Sequence, residues 1–429
     1  MMRCVNRKPR IAVVSPWPPQ TSGVADYASK LVSQLQRTYD IDIFHDPSIP
    51  PRFESLTAGI TAIPAPLLPR LIGLRQYRAI LYQMGNSRHH AFQYPLMQAH
   101  PGIVTLHDLR LTNFHETYAE NPHVGRDHLE REIAYDRPVE ADKLLRDLRK
   151  MRCERGGIPV ALAARGIDLN RRVFASSQAV LVHSKWARER VISMIPEYAE
   201  RTHHIPFGAT SEVISSDVKS EIRTRLGFHP NAIILACLGF LGWGKMNEEA
   251  IEAFLAISQE VPRAILAFIG RDLDEGRASK RVQQLGISDR VRFLEGTTDT
   301  DLCDLAKACD IGVNLRREPT NGETSGTLFT LLRFGIPTIV TDIDSFRDEP
   351  DDVVVRVRWR QDGMTGLITA MHRLVADRIY REQISRNASS YVSNGHSWSL
   401  VASSYRAIIE SVNSACQPGQ KRCNLEILK

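Results

Sequence analysis

A strand, a glycine-rich turn and a helix follow one another late in the chain, and this order constrains the fold more than any other feature. Residues 311–315 read as a buried strand, the turn 317–326 carries the carboxylate of Glu323, and Thr324 or Ser325 can cap the following helix. A glycine loop between a strand and a helix N-terminus leaves free backbone N–H groups and a partial positive charge, which suits a diphosphate. Such loops recur across many unrelated α/β proteins, so this unit alone does not assign a function.

The same order of elements occurs twice more. Residues 10–15 read as a strand that leads through a proline- and glycine-containing loop into an amphipathic helix. Residues 233–239 read as a strand followed by a glycine loop and a helix, which we expect Asn247 to cap. Further strands are expected at 40–44, 78–83, 103–106, 179–183, 264–269, 291–294 and from Pro337 onward. Strands that alternate with helices predict two parallel sheets with a ligand cleft between them.

The connecting segments have a different composition. Residues 115–173 mix Arg, Asp and Glu at helical spacing, so we expect helices over the edge of the first sheet, mostly solvated, with a share lining an acceptor groove. Residues 209–223 are polar enough to be a linker between the two units.

Composition excludes several classes of protein. The chain has 429 residues, long enough for two domains, and its net charge of +6 is too modest and dispersed for a dedicated nucleic-acid protein. Its seven cysteines are odd in number and lack the spacing of a zinc site, which favours a reducing, cytoplasmic compartment. No run approaches the roughly 20 apolar residues that span a bilayer. We therefore expect a soluble protein with at most peripheral contact to a membrane through its basic start.

Short motifs along nearly the whole chain resemble one known family. The motifs are Ser22-Gly23-Val24-Ala25-Asp26-Tyr27, Leu106-His107-Asp108, Val182-His183-Ser184-Lys185-Trp186-Ala187, Ile205-Pro206-Phe207-Gly208, Gly239 with Lys245, Asp289-Arg290-Val291-Arg292-Phe293, Gly322-Glu323-Thr324-Ser325-Gly326 and Gly335-Ile336-Pro337. In this order they are similar to the retaining glycosyltransferases of family 4, glycosyl transferases group 1.

The resemblance implies the GT-B fold, an α/β architecture of two Rossmann-like domains with parallel sheets that face each other across a cleft. We expect an acceptor-side domain over residues 1–210 and a nucleotide-sugar-binding domain over 211–395. Residues 396–429 would then form a helical segment that crosses back to the first domain.

Individual residues take roles from the same resemblance. Lys245 matches the lysine that binds the donor diphosphate, and Gly23 matches the glycine whose backbone approaches the donor phosphate. His107, followed by Asp108, matches the active-site histidine near the transferred sugar, and Glu323 would orient that sugar. A surface lysine and a structural His-Asp pair are the alternatives. The loop from Gly322 through Thr324, Ser325 and Gly326 would stabilise the leaving diphosphate.

Two positions depart from the family pattern. The glutamate that usually holds the donor ribose is replaced by Thr330, and the arginine that usually follows the glycine at 239 is replaced by Phe240. Arg271, Arg316 or Arg317 could supply the lost charge. We expect altered donor binding rather than a dead enzyme.

The resemblance implies transfer of a sugar from a nucleoside diphosphate sugar to an acceptor hydroxyl with retained anomeric configuration. We expect a bacterial polysaccharide or lipid-linked glycan as acceptor, no cofactor beyond the donor, and no required metal. The motifs Asp299-Thr300-Asp301 and Asp342-Ile343-Asp344 are expected to cap a helix and to end a buried strand, respectively, rather than to bind a metal. A sugar-nucleotide epimerase and a non-catalytic scaffold remain alternatives.

Overall fold

The computed structural model describes residues 8–51, 59–150, 157–294 and 299–415. Residues 1–7 of the basic start, the cysteines at positions 4, 153, 416 and 423, and residues 416–429 of the expected C-terminal segment lie outside these ranges. Within the described residues the chain forms two parallel sheets, as the alternation of strands and helices predicts.

The first sheet has seven parallel strands in the order β3-β2-β1-β4-β5-β6-β7. Its strands are β1 (Arg10–Val14), β2 (Asp40–His45), β3 (Ile60–Pro64), β4 (Ile80–Met84), β5 (Ile103–Leu106), β6 (Ala179–Val182) and β7 (Thr202–His204). The second sheet has six parallel strands in the order β10-β9-β8-β11-β12-β13. Its strands are β8 (Ile233–Leu238), β9 (Ala264–Ile269), β10 (Val291–Leu294), β11 (Ile311–Asn314), β12 (Thr338–Thr341) and β13 (Val354–Val357).

Helices cover both faces of each sheet and connect successive strands. Those of the first half are α1 (Gly23–Leu35), α2 (Leu68–Arg75), α3 (Tyr94–Ala99), α4 (Thr112–Ala119), α5 (His128–Asp136), α6 (Ala141–Lys150), α7 (Gly157–Ala164), α8 (Arg171–Ala175) and α9 (Lys185–Met194). Those of the second half are α10 (Ser216–Arg225), α11 (Asn247–Glu260), α12 (Arg277–Gln284), α13 (Asp299–Lys307), α14 (Gly326–Arg333), α15 (Trp359–Ala376), α16 (Arg378–Gly395) and α17 (Trp398–Ala415).

The central strands are buried on both faces, which explains their continuous apolar runs. All six residues of β8 are buried, and so are all four residues of β5 and of β11. A strand covered by helices on both faces reads as an unbroken hydrophobic segment rather than as an alternating one. The loops at the carboxyl ends of these strands are therefore held on a rigid base.

The structure corrects two local expectations. The segment expected to be a linker becomes helical at Ser216, where α10 begins, and Arg223 on this helix pairs with Asp310. Asn247 is the first residue of α11 rather than its N-cap, and its Oδ1 accepts a hydrogen bond from the Gly242 N–H at 2.8 Å. Asn247 therefore fixes the glycine loop after β8.

The last described helix returns to the first domain. Helix α17 packs against α1, and Val401, Tyr405 and Ile409 join the core that lies under β1. Tyr39 of the first domain donates a hydrogen bond to Glu410 on this helix. The end of the chain therefore contributes to the core of the domain that begins it.

The two domains touch at the carboxyl ends of their sheets. The backbone N–H of Arg110 donates to the Asn321 carbonyl at 2.9 Å, and its guanidinium reaches the Thr320 carbonyl and the Asp344 carboxylate, both at 2.7 Å. On the same side, the Trp186 N–H donates to Asp348. These contacts close one end of the cleft.

The described ranges contain neither a candidate membrane-spanning helix nor a candidate metal-ligand cluster. No helix there is both long and apolar enough to cross a membrane. Among the same residues, no three His, Cys, Asp or Glu side chains are grouped as metal ligands. Of the two expected Asp-x-Asp loops, residues 342–344 follow β12 and contribute to the contact with Arg110, while Asp299 begins α13.

Candidate functional site

Strand β5 delivers His107 to the cleft. The His107 N–H donates to the Met84 carbonyl, which extends the pairing of β5 with β4 by one residue, and the ring Nε2 lies 2.9 Å from Gln83 Oε1. The rings of Tyr27 and His183 lie 4.8 and 5.1 Å from the imidazole, centroid to centroid. Burial, followed by the nearby His183, holds the pKa of His107 well below its usual value. His107 is therefore a neutral hydrogen-bonding group at neutral pH.

Asp108 follows on the same loop and lies half-buried at the cleft. Its Oδ2 accepts a hydrogen bond from the Asn86 N–H at 2.8 Å. Burial raises the pKa of Asp108 to about 7, and the negative charge of Glu323 adds to the shift. Glu323 belongs to the second domain, so this electrostatic coupling joins the two sides of the cleft.

The second domain contributes Lys245 from the loop after β8. A short 3-10 helix, Trp243–Lys245, carries it, and Met246 adopts a left-handed backbone conformation before α11 begins. Burial lowers the pKa of Lys245 to about 7, with Arg316 as the next cause and with Glu323 and Asp108 opposing it. Within the described ranges the Lys245 ammonium makes no hydrogen bond or ion pair. It is a half-buried cation whose hydrogen-bonding capacity is unused within that part of the chain.

Glu323 and Arg316 form a buried ion pair next to this lysine. Arg316 Nε donates to Glu323 Oε1 at 2.9 Å, and the other carboxylate oxygen accepts from the Asn321 N–H at 3.0 Å. Arg316 also donates to Asn314 Oδ1 and to Ser325 Oγ, at 2.6 and 3.0 Å. Because both side chains are fixed by several partners, their charges are held in a single geometry.

Ser325 caps the helix that points its N-terminus at this cluster. Its Oγ accepts from the Leu328 N–H at 3.2 Å, which identifies Ser325, and not Thr324, as the N-cap of α14. Gly326, the first residue of the helix, is exposed. A Cβ at Gly239, which has a φ of +100°, would lie 3.1 Å from Thr327 Cγ2, so the loop after β8 and the start of α14 are adjacent. The N-terminus of α14 therefore opens beside the loop that carries Lys245.

The first turn of α1 borders the same region. Gly23 is exposed, and a Cβ built on it would meet no atom within 4 Å. A Cβ on Gly85 would lie 3.3 Å from Val24 and 3.1 Å from Asp108 Oδ2, so this helix start is close to Asp108. The space above Gly23 is available to a ligand.

Three further expected site residues make their contacts outside the charge cluster. Gly322, at a φ of +67°, packs against the first domain, where a Cβ would come within 2.9 Å of Leu109. Thr330 donates from its hydroxyl to the Gly326 carbonyl within α14. Arg271 is exposed and its guanidinium lies 5.5 Å from the ring of Phe240. Arg271 therefore brings a cation to the position where the family arginine is absent.

The structure adds residues that the sequence interpretation missed. Asn86 and Gln83 hold Asp108 and His107, and Arg110 joins the domains through Asp344 while its Nε donates to Asp168 at 3.1 Å. Their position in the sequence could have indicated them, because these residues lie at or just after the carboxyl ends of the neighbouring strands β4 and β5.

Comparison with known proteins finds a family match for the second domain. Residues 218–391 match the family model described as Glycosyl transferases group 1. The mannosylfructose-phosphate synthase of Agrobacterium fabrum is 28% identical over 170 residues, which cover 38% of this chain and 35% of that protein. The D-inositol 3-phosphate glycosyltransferase of Stackebrandtia nassauensis is 24% identical over 242 residues, 54% of this chain and 53% of the relative. The matches thus span about half or less of these relatives' lengths.

Solved structures agree on the architecture. Anabaena HepE in complex with UDP superposes with a TM-score of 0.63 at 16% identity, covering 94% of this chain and all of that one. HepE has also been solved with UDP-glucose. At this identity the likeness concerns the fold, which is that of two facing Rossmann-like domains. Residues 218–391 therefore resemble the glycosyl transferases group 1 family, and the chain has the GT-B fold.

Proposed function

We propose that this protein transfers a sugar from a nucleoside diphosphate sugar to an acceptor hydroxyl with retention of the anomeric configuration. The observation that carries the proposal is the charge cluster in the cleft, in which Asp108 of the first domain is electrostatically coupled to Lys245 and Glu323 of the second. A cluster drawn from both domains suits a ligand that bridges them.

The donor diphosphate would lie between Lys245 and the N-terminus of α14. The ammonium of Lys245 has no partner among the described residues, and the helix N-terminus supplies backbone N–H groups and a partial positive charge. Arg271, stacked on Phe240, supplies a further cation at the rim. The binding of UDP and UDP-glucose by HepE supports this class of donor, while the base and the sugar remain to be measured.

The reaction breaks the bond between the sugar C1 and the diphosphate oxygen and forms a bond from C1 to the acceptor oxygen. The acceptor proton leaves with the nucleoside diphosphate or with solvent. Lys245 would stabilise the charge that develops on the leaving diphosphate, and His107, which is neutral, would contact the sugar through a hydrogen bond. Glu323 would either orient the sugar directly or hold Arg316 in position, since Arg316 already donates a hydrogen bond to it.

The acceptor would approach from the first domain. Its class remains our expectation, a glycan or a lipid-linked glycan, and the names of the two relatives add sugar phosphates and inositol phosphates as compounds to test. We propose that the reaction uses the nucleotide-sugar donor without a further cofactor and without a metal ion.

The replacement of two family residues by Thr330 and Phe240 favours a second candidate, a non-catalytic scaffold. Release of the nucleoside diphosphate should therefore be measured with UDP-glucose and other sugar nucleotides, with and without each acceptor. Acceptor-dependent release and a product of retained configuration by NMR support the transferase. Conversion of the donor without acceptor indicates an epimerase, and absence of both turnover and donor binding indicates the scaffold.

Substitution of Lys245 tests the assigned role of the cleft. Lys245→Ala should lower kcat/KM by about a hundredfold or more, because one preorganised charge contact at the leaving group is removed. Lys280→Ala is the matched control, since this lysine lies exposed on α12 and its ammonium donates to the Glu275 carbonyl. Equal activity of the two variants would exclude a catalytic role for Lys245.

A further inference from the structure

The last described helix places one hydroxyl deep in the first domain. Tyr405 on α17 is 1% exposed, and its OH lies 2.8 Å from Thr105 Oγ1 on β5, which is also 1% exposed. The two lie 300 residues apart in sequence. This contact is unnecessary for packing, because a phenylalanine would fill nearly the same volume. The hydroxyl therefore points to a polar role.

A second pair of contacts links this hydroxyl to the cleft. Gln83, fully buried on β4, donates from Nε2 to Thr105 Oγ1 at 3.3 Å, and its Oε1 faces His107 Nε2 at 2.9 Å. Tyr405, Thr105, Gln83 and His107 thus form a continuous line of hydrogen bonds from α17 to the site. No water is needed to complete it.

We propose that Tyr405 is a positioning residue that sets the tautomer of His107 through Thr105 and Gln83. The 2.8 Å contact allows either hydroxyl to donate, and we assign the Thr105 hydroxyl as the donor to the Tyr405 oxygen, which leaves a lone pair of Thr105 to accept from the Gln83 amide. The Gln83 carbonyl oxygen then faces His107, so the imidazole must carry its proton on Nε2. Four groups are polarised in the same direction, which strengthens each bond.

Protonation of Nε2 determines the role of the other ring nitrogen of His107, Nδ1. With Nε2 protonated and the ring neutral, Nδ1 is an acceptor, and it receives no hydrogen bond from any residue in the described part of the chain. A sugar hydroxyl can therefore donate to it. This step rests on the proposed function, in which His107 contacts the transferred sugar.

Removal of the Tyr405 hydroxyl should allow the Gln83 amide to flip and the His107 tautomer to change. The Thr105 hydroxyl then lacks its acceptor and can turn towards the Gln83 carbonyl once the amide has flipped. The amide nitrogen would then face His107 Nε2 and move the imidazole proton to Nδ1. In the molecules that carry the proton on Nδ1, His107 would no longer offer a free hydrogen-bond acceptor to the cleft.

The matched control is Tyr39→Phe. Tyr39 also contacts α17 through its hydroxyl, which donates to Glu410 at 3.3 Å, but it takes no part in the line to His107. Tyr405→Phe and Tyr39→Phe each remove one hydroxyl from the surface on which α17 docks. A difference between them therefore reports on the line of hydrogen bonds and not on docking.

The test is the tautomer of His107, measured by long-range ¹H–¹⁵N NMR of the histidine side chains, with His107→Gln identifying the signal. We expect the Nε2–H form in the wild type and in Tyr39→Phe, and a mixture with the Nδ1–H form in Tyr405→Phe and in Thr105→Val. Transfer by Tyr405→Phe should fall about fivefold in kcat, while affinity for UDP stays within about twofold. An unchanged tautomer in Tyr405→Phe, or an Nδ1–H form in the wild type, would overturn the proposal. The NMR result stands without any transferase activity, so failure of the proposed function is seen separately.

Discussion

At the scale of single residues, the site depends on charges that are partly buried and only partly neutralised. Lys245 has no hydrogen-bond partner among the described residues, and its pKa is lowered to about 7 by burial and then by Arg316. The pKa of Asp108 is raised to about 7 by burial and then by Glu323. Both groups therefore change charge near neutral pH, where a small change in their surroundings alters the protonation state.

The affinity for UDP should fall as the pH rises above about 7.5. A bound diphosphate favours the ammonium form of Lys245 and the protonated form of Asp108, so it raises both pKa values above those of the free protein. The affinity for UDP is then greatest below about pH 7, which is the pKa of both side chains in the free protein. It falls at higher pH as each side chain loses its proton. Calorimetric titration between about pH 7.5 and 9, where the ionisation of UDP is complete, measures this directly. A flat profile would mean that neither group faces the diphosphate.

At the scale of elements, α14 connects donor binding to stability. Ser325 caps this helix and also accepts from the buried side chains of Asn314 and Arg316, both at 3.0 Å. One hydroxyl therefore orders the helix N-terminus and the arginine that holds Glu323. Local structure and the charge cluster depend on the same atom.

Ser325→Ala should lower the free energy of unfolding by about 2 kcal/mol, because it removes an N-cap and leaves two buried donors unpaired. Urea denaturation measures the change. Ser215→Ala is the control, since Ser215 caps α10 in the same domain by accepting from the Val218 N–H at 3.3 Å in an exposed position. That variant should lose about 1 kcal/mol or less and keep its affinity for UDP. Equal losses of unfolding free energy in the two variants would mean that the Ser325 hydroxyl contributes no more than an ordinary N-cap does.

Much of the fold could be predicted because the central strands are continuous apolar segments between helices. Strands β5, β9 and β10 have the expected bounds, whereas the short strands β3, β7 and β13 were not anticipated. The last two have only three and four residues, too few to carry a periodic signal. The polar sequence of residues 209–223 predicts a linker, whereas α10 is held in place by the pairing of Arg223 with Asp310, a tertiary contact that no local pattern shows.

The positions of the candidate site residues were predictable in part for the same reason. Asp108, Lys245 and Glu323 follow strand ends, and strand ends of parallel sheets lie at one edge. Their electrostatic coupling across the cleft depends on how the two domains meet, which no local pattern encodes. The same holds for Gly322, whose close approach to Leu109 belongs to the contact between domains.

At the scale of the whole molecule, three separate parts of the chain build one cleft. The first domain supplies His107 and Asp108, the second supplies Lys245 and Glu323, and α17 returns from the end of the chain to the core beneath β1. The contacts of Arg110 with Thr320 and Asp344 hold the strand ends of the two sheets together. The central claim is that a nucleoside diphosphate binds between these domains, beside both Lys245 and Asp108.

The most direct test is calorimetric titration of UDP into the wild type, Lys245→Ala and Asp108→Asn at about pH 8, with Lys280→Ala as control. Lys245→Ala should weaken binding by about tenfold or more, because a charge-assisted contact is lost. Asp108→Asn should tighten binding, because it removes a carboxylate that is mostly ionised at that pH and repels the diphosphate. Opposite shifts from the two sides of the cleft are the predicted result. Absence of UDP binding, or equal affinity in all four proteins, would contradict the account.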